Sequence, residues 1–208
     1  MRPLDIRVYK TELRQASRER RAMLSPETKA ELDRGIENNV RRLYQYRGAN
    51  TIMVYVSTAI EIDTRKIIKN AWEDGKKVAV PRCIPETREM EFHYITSFDD
   101  LAPGMFSVLE PDENLPTVQK FDGCLMLVPG FVYDRYGYRL GYGKGYNDSY
   151  ISRFTGVTVG MCYENEVTYR LQHGRFDRPV STILTEKRIR KSVVFTAKRK
   201  AFGGTHER

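Results

Sequence analysis

Residues 124–154 read CLMLVPGFVYDRYGYRLGYGKGYNDSYISRF, and the class of the fold turns on how this stretch divides. CLMLVP, residues 124–129, is a nearly continuous apolar run of the kind found in strands covered on both faces. Such a strand needs helices above and below it, which points to an α/β sheet of mostly parallel order. Pro129-Gly130 ends the strand, a turn passes through Asp134 to Gly137, and Gly141, Gly143 and Gly145 then alternate with Tyr142 and Lys144. A helix is predicted from about Tyr146 to Phe154. Glycine at every second position lets the backbone approach a ligand and take positive φ, so that its N–H groups can converge on phosphate oxygens. Arg139 and Lys144 add positive charge, and the helix start that follows favours an anion further. The loop is neither a Walker P-loop nor a Rossmann G-x-G-x-x-G turn, and a plain strand-to-helix connection could use the same residues. Its place beyond the carboxyl end of a central strand, where open α/β sheets bind ligands, favours a phosphate cradle.

Working outward, two amphipathic helices open the chain. Ile6, Tyr9, Leu13 and Ala16 give residues 5–22 one buried stripe at three-to-four spacing. Ser25-Pro26 supplies an N-cap and a helix-starting proline for a second helix carrying Leu32, Ile36, Val40 and Leu43. TIMVYVS, residues 51–57, reads as a buried strand, Asp63-Thr64 caps a helix running to about Asp74, and KKVAVP follows as the next strand. That β-α-β unit predicts parallel strands joined by a right-handed crossover. MEFHYI, residues 90–95, is another strand, and the Asp-, Glu- and Pro-rich residues 97–120 read as a short helix plus surface loop. VTVGMCY and finally STILT, residues 181–185, complete the strands. The expectation is one α/β domain over residues 1–186, with helices on both faces of its sheet, followed by a basic tail at 187–208.

Composition agrees with a globular chain. Of 208 residues, 40% are hydrophobic and 30% charged, and no apolar run reaches the roughly 18 residues of a membrane span. MRPLDIRVYK lacks the apolar core of a secretory leader, so a cytoplasmic address is expected. The net charge of +8 raises the possibility of nucleic-acid binding, but residues 187–208 hold eight basic side chains and one acid, hence +7 of the total. The excess therefore reads as a solvated tail, not a binding face. Cys83, Cys124 and Cys162 are widely spaced and suggest neither a disulfide framework nor a zinc site, and Cys124 and Cys162, among apolar strand residues, read as core filling. His93, His173 and His206 have no metal-ligand spacing, and Trp72 reads as core on an amphipathic helix.

The segment from Pro129 to Tyr150 resembles the signature of the 5-formyltetrahydrofolate cyclo-ligase family, also called methenyltetrahydrofolate synthetases. The family pattern is a PG, an Asp, a Gly and RLG-x-G-x-GY-x-D, against PG, Asp134, Gly137 and RLGYGKGYND here. Lys10 and Arg14 match its opening K-x-x-x-R, Ser57 and Glu61 its S-x-x-x-E, Pro81-Arg82 its PR, and Asp177 with ILTE its closing segment. The resemblance spans nearly all of residues 8–186. It departs at Phe176 and Ser181, where the family usually has His and a second Asp.

What the resemblance implies is ATP- and Mg²⁺-dependent conversion of 5-formyltetrahydrofolate, which can carry a polyglutamate tail, to 5,10-methenyltetrahydrofolate by a monomer. Lys10 and Arg14 would bind ATP phosphates together with Arg139, Gly141, Gly143, Lys144, Gly145 and Tyr146. Val56, Glu61 and Tyr142 would face the folate, which the loop residues Gly143 to Tyr146 also touch. Lys144, Arg139 and Tyr146 would act in catalysis, and Asp148 and Asp177 would ligate Mg²⁺. Without the resemblance, Lys10 and Arg14 read as surface cations, Glu61 as a helix cap and Asp148 as a first-turn acid. The rivals are a sugar-phosphate isomerase or CoA transferase on a similar scaffold, and a nucleic-acid-binding module.

Overall fold

The computed structural model describes residues 5–105 and 108–196. Helix α1 (Ile6–Ala22) begins where the Asp5 side chain accepts the Arg7 N–H, and α2 (Pro26–Arg42) begins with the Ser25 hydroxyl accepting from Thr28 N–H. A short α3 (Tyr44–Gly48) follows, then strand β1 (Thr51–Val54), α4 (Arg65–Glu73), β2 (Lys77–Cys83) and β3 (Met90–Ile95). A hairpin of β4 (Leu101–Pro103) and β5 (Leu109–Pro111) leads to β6 (Cys124–Pro129). Beyond it lie β7 (Val132–Asp134), β8 (Arg139–Leu140), α5 (Tyr146–Arg153), β9 (Val157–Met161), β10 (Val167–Thr168), β11 (Thr182–Leu184) and β12 (Ile189–Lys191).

The main sheet has seven strands in the order β12-β11-β9-β6-β1-β2-β3, parallel at its centre and antiparallel at both edges. Period-two alternation divides its side chains between two cores. Ile52, Val54, Val78, Val80, Leu125 and Leu127 pack with α2 and α4 residues such as Ile36, Val40, Ile67 and Ile68. Met53, Ala79, Met126 and Val128 face the other way, toward Tyr150 and Phe154 at α5. Helices thus cover both faces, as the apolar run at 124–129 predicts. From β1 the chain moves to β2 on one side, then returns to place β6 on the other. That reversal opens a crevice at the carboxyl ends of β1 and β6, the usual ligand position in open α/β sheets.

Four expectations need correction. The stripe Ile6, Tyr9, Leu13 and Ala16 is only half-buried on the whole, and the buried residues of α1 are Ser17 and Arg21. Arg21 donates to the carbonyls of Gly130 and Phe131, so α1 is anchored by a cation at the end of β6 and not by an apolar stripe alone. The strand expected over 51–57 stops at Val54, because β2 and β6 pair with nothing beyond it and the chain turns into the crevice. Among the described residues of 97–120, a 3₁₀ turn at Phe98–Asp100 is followed by the β4–β5 hairpin where only a surface loop is expected. Finally, STILT is not the last strand: β12 pairs antiparallel with β11, so the boundary expected at 187 falls inside a hairpin. Residues 197–208 of the expected tail, including His206, lie outside the described residues.

Candidate active site

A cleft of about 570 Å³ occupies the crevice. Helix α1 forms one wall, with Lys10, Arg14 and Arg18 at successive i, i+4 spacings, and the loop from Gly141 to Asp148 forms the rim. The opposite wall is apolar, with Tyr55 and Val56 after β1, Leu127 on β6, and Met90 and Phe92 on β3. Every residue singled out above as a site candidate lines this one cleft, although the candidates come from four separate stretches of chain.

The loop is held open by local geometry. Gly143 has φ +92° and Gly145 φ +86°, a left-handed conformation in which a side chain would be strained. Gly141 takes no such angle and meets nothing within 4 Å at a hypothetical Cβ, so its glycine is not demanded by the backbone. Arg14 fastens the loop to α1, its Nε donating to Gly141 O at 2.8 Å. A Cβ on Gly143 would stand 3.2 Å from that guanidinium, so bare backbone keeps the cation close to the loop. Gly145 is the N-cap of α5 and offers it no side-chain cap. Asp134 and Gly137 of the same segment lie outside the cleft. The Asp134 carboxylate accepts N–H groups from Tyr136, Tyr138 and Leu171, and so shapes the β7–β8 hairpin that delivers the loop.

Charge is concentrated and partly paired. Lys10 Nζ meets Asp177 Oδ2 at 2.5 Å, and Arg139 Nη2 meets Asp148 Oδ1 at 3.1 Å. Burial pulls the Arg14 guanidinium below its usual pKa, and the neighbouring Arg18 charge adds to this. Burial pushes the Asp177 carboxyl up, but hydrogen bonds from Lys10 and the Gly174 N–H outweigh it and hold that carboxyl below the ordinary range. At the apolar end, Tyr142 donates its hydroxyl to Glu61 Oε1 at 2.6 Å across 81 residues of sequence. Burial, then the Glu61 charge, raise the Tyr142 phenol well above its usual pKa, so it remains a donor. Thr58 N–H and hydroxyl both donate to Glu61 Oε2, which makes the carboxylate a capping group as well as a cleft-lining acceptor.

Among the described residues, no group of three or more His, Cys, Asp or Glu side chains comes together. The carboxylates of Asp148 and Asp177 suit a hard cation that also takes oxygens from phosphate and water, since Mg²⁺ seldom needs an all-protein cage. Each spends its hydrogen bonds on one oxygen, leaving lone pairs on the other.

Some cleft residues escaped the sequence reading. Arg18 carried a signal, because it continues the i, i+4 series from Lys10 and Arg14. Tyr55, Met90, Phe92 and Leu109 carried none, since an apolar residue on a strand looks the same whether it packs inside or faces a ligand. Ser57 and Arg82 of the matched motifs serve neighbouring structure. Ser57 bonds the Thr64 N–H, and Arg82 ties β2 to Pro111 and Glu113. Cys124 and Cys162 are buried as core, and Trp72 packs edge-on against Phe98. No helix among the described residues is long and apolar enough to cross a membrane.

Comparison with known proteins places this geometry. Residues 6–186 match the model of the 5-formyltetrahydrofolate cyclo-ligase family. The 5-formyltetrahydrofolate cyclo-ligase of Mus musculus is 24% identical over 198 residues, covering 89% of this chain and 98% of the mouse protein. The solved structure of Aquifex aeolicus 5,10-methenyltetrahydrofolate synthetase superposes with a TM-score of 0.78 at 30% identity, over 88% of this chain and 93% of the other. The Mycoplasma pneumoniae 5,10-methenyltetrahydrofolate synthetase shares the fold at a TM-score of 0.68 and 22% identity, over 85% and 98%. The isomerase, transferase and nucleic-acid rivals fall away. The chain belongs to the 5-formyltetrahydrofolate cyclo-ligase family, and its activity is the conversion of 5-formyltetrahydrofolate to 5,10-methenyltetrahydrofolate.

Proposed function

We propose that the cleft takes the two substrates of this ATP-dependent ligase side by side, with the triphosphate at the cationic end and the folate at the apolar end. The carrying observation is that one cleft joins the left-handed glycine loop and the cations Lys10, Arg14, Arg139 and Lys144 to an apolar wall closed by Tyr142 and Glu61. The amides of Gly141, Gly143 and Gly145 and the first turn at Tyr146 would receive phosphate oxygens. Val56 and Tyr142 would flank the pteridine, whose amino groups would donate to Glu61. Asp148 and Asp177 would hold Mg²⁺, which supplies positive charge to the phosphate oxygens when bound.

A formamide oxygen leaves poorly, so it must be activated before N10 can displace it. In the proposed course the formyl oxygen attacks the γ-phosphorus and ADP departs. N10 then adds to the formyl carbon and gives up its proton, and inorganic phosphate leaves with that oxygen. The chain's part is positioning and charge neutralisation. Lys144, Arg139 and Tyr146 stand at the rim and floor where the transferred group would pass. Arg139 is nearly fully buried and bonded to Asp148 and the Arg178 carbonyl, so it fixes the carboxylate as well as the local charge. Crystals grown with MgATP test the arrangement. Phosphates against residues 141–145 are expected, and a nucleotide bound elsewhere with this loop empty would overturn it.

A further inference from the structure

Arg21 is only 5% exposed and stands outside the cleft lining, and among the described residues no carboxylate pairs with it. Burying a cation in this way is costly unless hydrogen bonds replace the lost water. Its Nη2 donates to the carbonyls of Gly130 at 2.8 Å and Phe131 at 3.1 Å, and its Nη1 lies 3.5 Å from the Ile60 carbonyl. The guanidinium carbon sits 5.1 Å from the Phe131 ring centroid and 5.4 Å from that of Tyr163. Its Nε has no hydrogen-bond partner among the described residues. Apolar packing would anchor α1 without the cost of a buried charge. What the guanidinium adds is a rigid fork that touches two segments at once.

Both segments lead to the pair that closes the apolar end of the cleft. Ile60 immediately precedes Glu61. Phe131 donates its N–H to Leu140 O at 2.8 Å, and its ring packs against Tyr142 with centroids 4.6 Å apart. Tyr142 bonds Glu61 at 2.6 Å, so Arg21, Ile60 with Glu61, Tyr142 and Phe131 form a closed circuit of contacts. A misplacement on the order of 1 Å in groups that orient a substrate costs as much as about 100-fold in rate.

We propose that Arg21 is a positioning residue for the folate, fixing the spacing of Glu61 and Tyr142 from behind the cleft wall. The inference rests on the placement of the folate at that end, and Glu61→Gln separates the two. Steady-state kinetics on the full-length protein would give KM for 5-formyltetrahydrofolate and for ATP in Arg21→Lys, Phe131→Leu, their double variant, Glu61→Gln and Arg20→Gln. Lysine keeps the charge and loses the fork, so Arg21→Lys should raise the folate KM about tenfold and leave the ATP KM within about twofold. Phe131→Leu breaks the same circuit without touching the cation and should raise the folate KM by a similar factor. The double variant should then do little more than either change alone. Arg20→Gln removes another cation that ties α1 down, through Glu166 at 2.9 Å, and should lower Tm while both KM values hold. A wild-type folate KM in Arg21→Lys would overturn the proposal. So would an equal rise in both KM values, or the same rise in Arg20→Gln, by showing a mere anchor of α1. Additive effects in the double variant would overturn it as well, since Phe131 would then act through Arg18, which also lies over its ring. If Arg21→Lys does not fold, Phe131→Leu decides: a raised folate KM with ATP unmoved upholds the role, and a wild-type one overturns it. An unchanged folate KM in Glu61→Gln would overturn the folate placement itself, and the positioning role with it.

Discussion

On α1, Lys10, Arg14 and Arg18 stand along one wall of the cleft, whereas in the β11–β12 hairpin Arg188 and Arg190 converge on the single carboxylate of Glu164. Arg188 Nε reaches Glu164 Oε1 at 3.1 Å, Arg190 shares that oxygen, and the Thr185 hydroxyl donates to Oε2 at 2.7 Å. Glu164 is thereby saturated, and its cations hold an edge strand in place. Of those three cleft-lining cations only Lys10 has a carboxylate partner, and Arg18 has neither a hydrogen bond nor an ion pair with any described residue. Cations crowded in a concave, partly desolvated wall raise the potential there, and the depressed Arg14 pKa is a sign of it. Two basic stretches of similar composition thus differ in what they lack. One has its anion built in, whereas in the other Arg14 and Arg18 line the cleft with no carboxylate paired to them among the described residues.

The contrast breaks most visibly at the loop. Lys144→Ala should lower kcat on the order of 100-fold, about 3 kcal/mol by analogy with the loss of one oxyanion donor, with little change in Tm. Steady-state kinetics and a thermal melt check both halves, and near-normal turnover would remove the lysine from the mechanism.

A smaller effect is expected from Gly143→Ala. A side chain at φ +92° costs roughly 1–2 kcal/mol, and its Cβ would press on the Arg14 guanidinium. The loop should shift from α1, raising KM for ATP several-fold while KM for 5-formyltetrahydrofolate moves less. Equal change in both constants would contradict the division of the cleft into a phosphate end and a folate end.

The smallest effect belongs to the built-in pair. Glu164→Gln should cost about 1 kcal/mol of stability, at the upper end for partly exposed ion pairs, and leave kcat/KM unaltered. Burial pushes the Glu164 carboxyl up, but hydrogen bonds from Thr185 and Arg190 outweigh it and hold it below the ordinary carboxylate value. A carboxyl lowered on folding stabilises the protein above its unfolded pKa and loses that contribution as pH falls through the lowered value. The wild type should therefore lose Tm in acid more steeply than Glu164→Gln, a difference that melts at a series of pH values would detect.

Much of this was legible in the chain because it is written locally. The run at 124–129 is typical of a strand covered on both faces, and the β-α-β unit from Thr51 to Pro81 follows from short-range periodicity and caps. Gly143 and Gly145 announced left-handed backbone, and the i, i+4 spacing of Lys10 and Arg14 placed both on one side of a helix. The β4–β5 hairpin and β12 were missed, since strands of three residues have too little pattern to read and gain their order from partners distant in sequence. Local chemistry thus determined the class of sheet, its central strands and the glycine loop at the rim of the cleft. Only the tertiary structure decided that Tyr142 meets Glu61, that Lys10 meets Asp177, and that Arg21 joins the half-buried stripe in anchoring α1. Those contacts span between 81 and 167 residues of chain, and such pairings exist only once the crossover from β1 to β6 has brought the strand ends together.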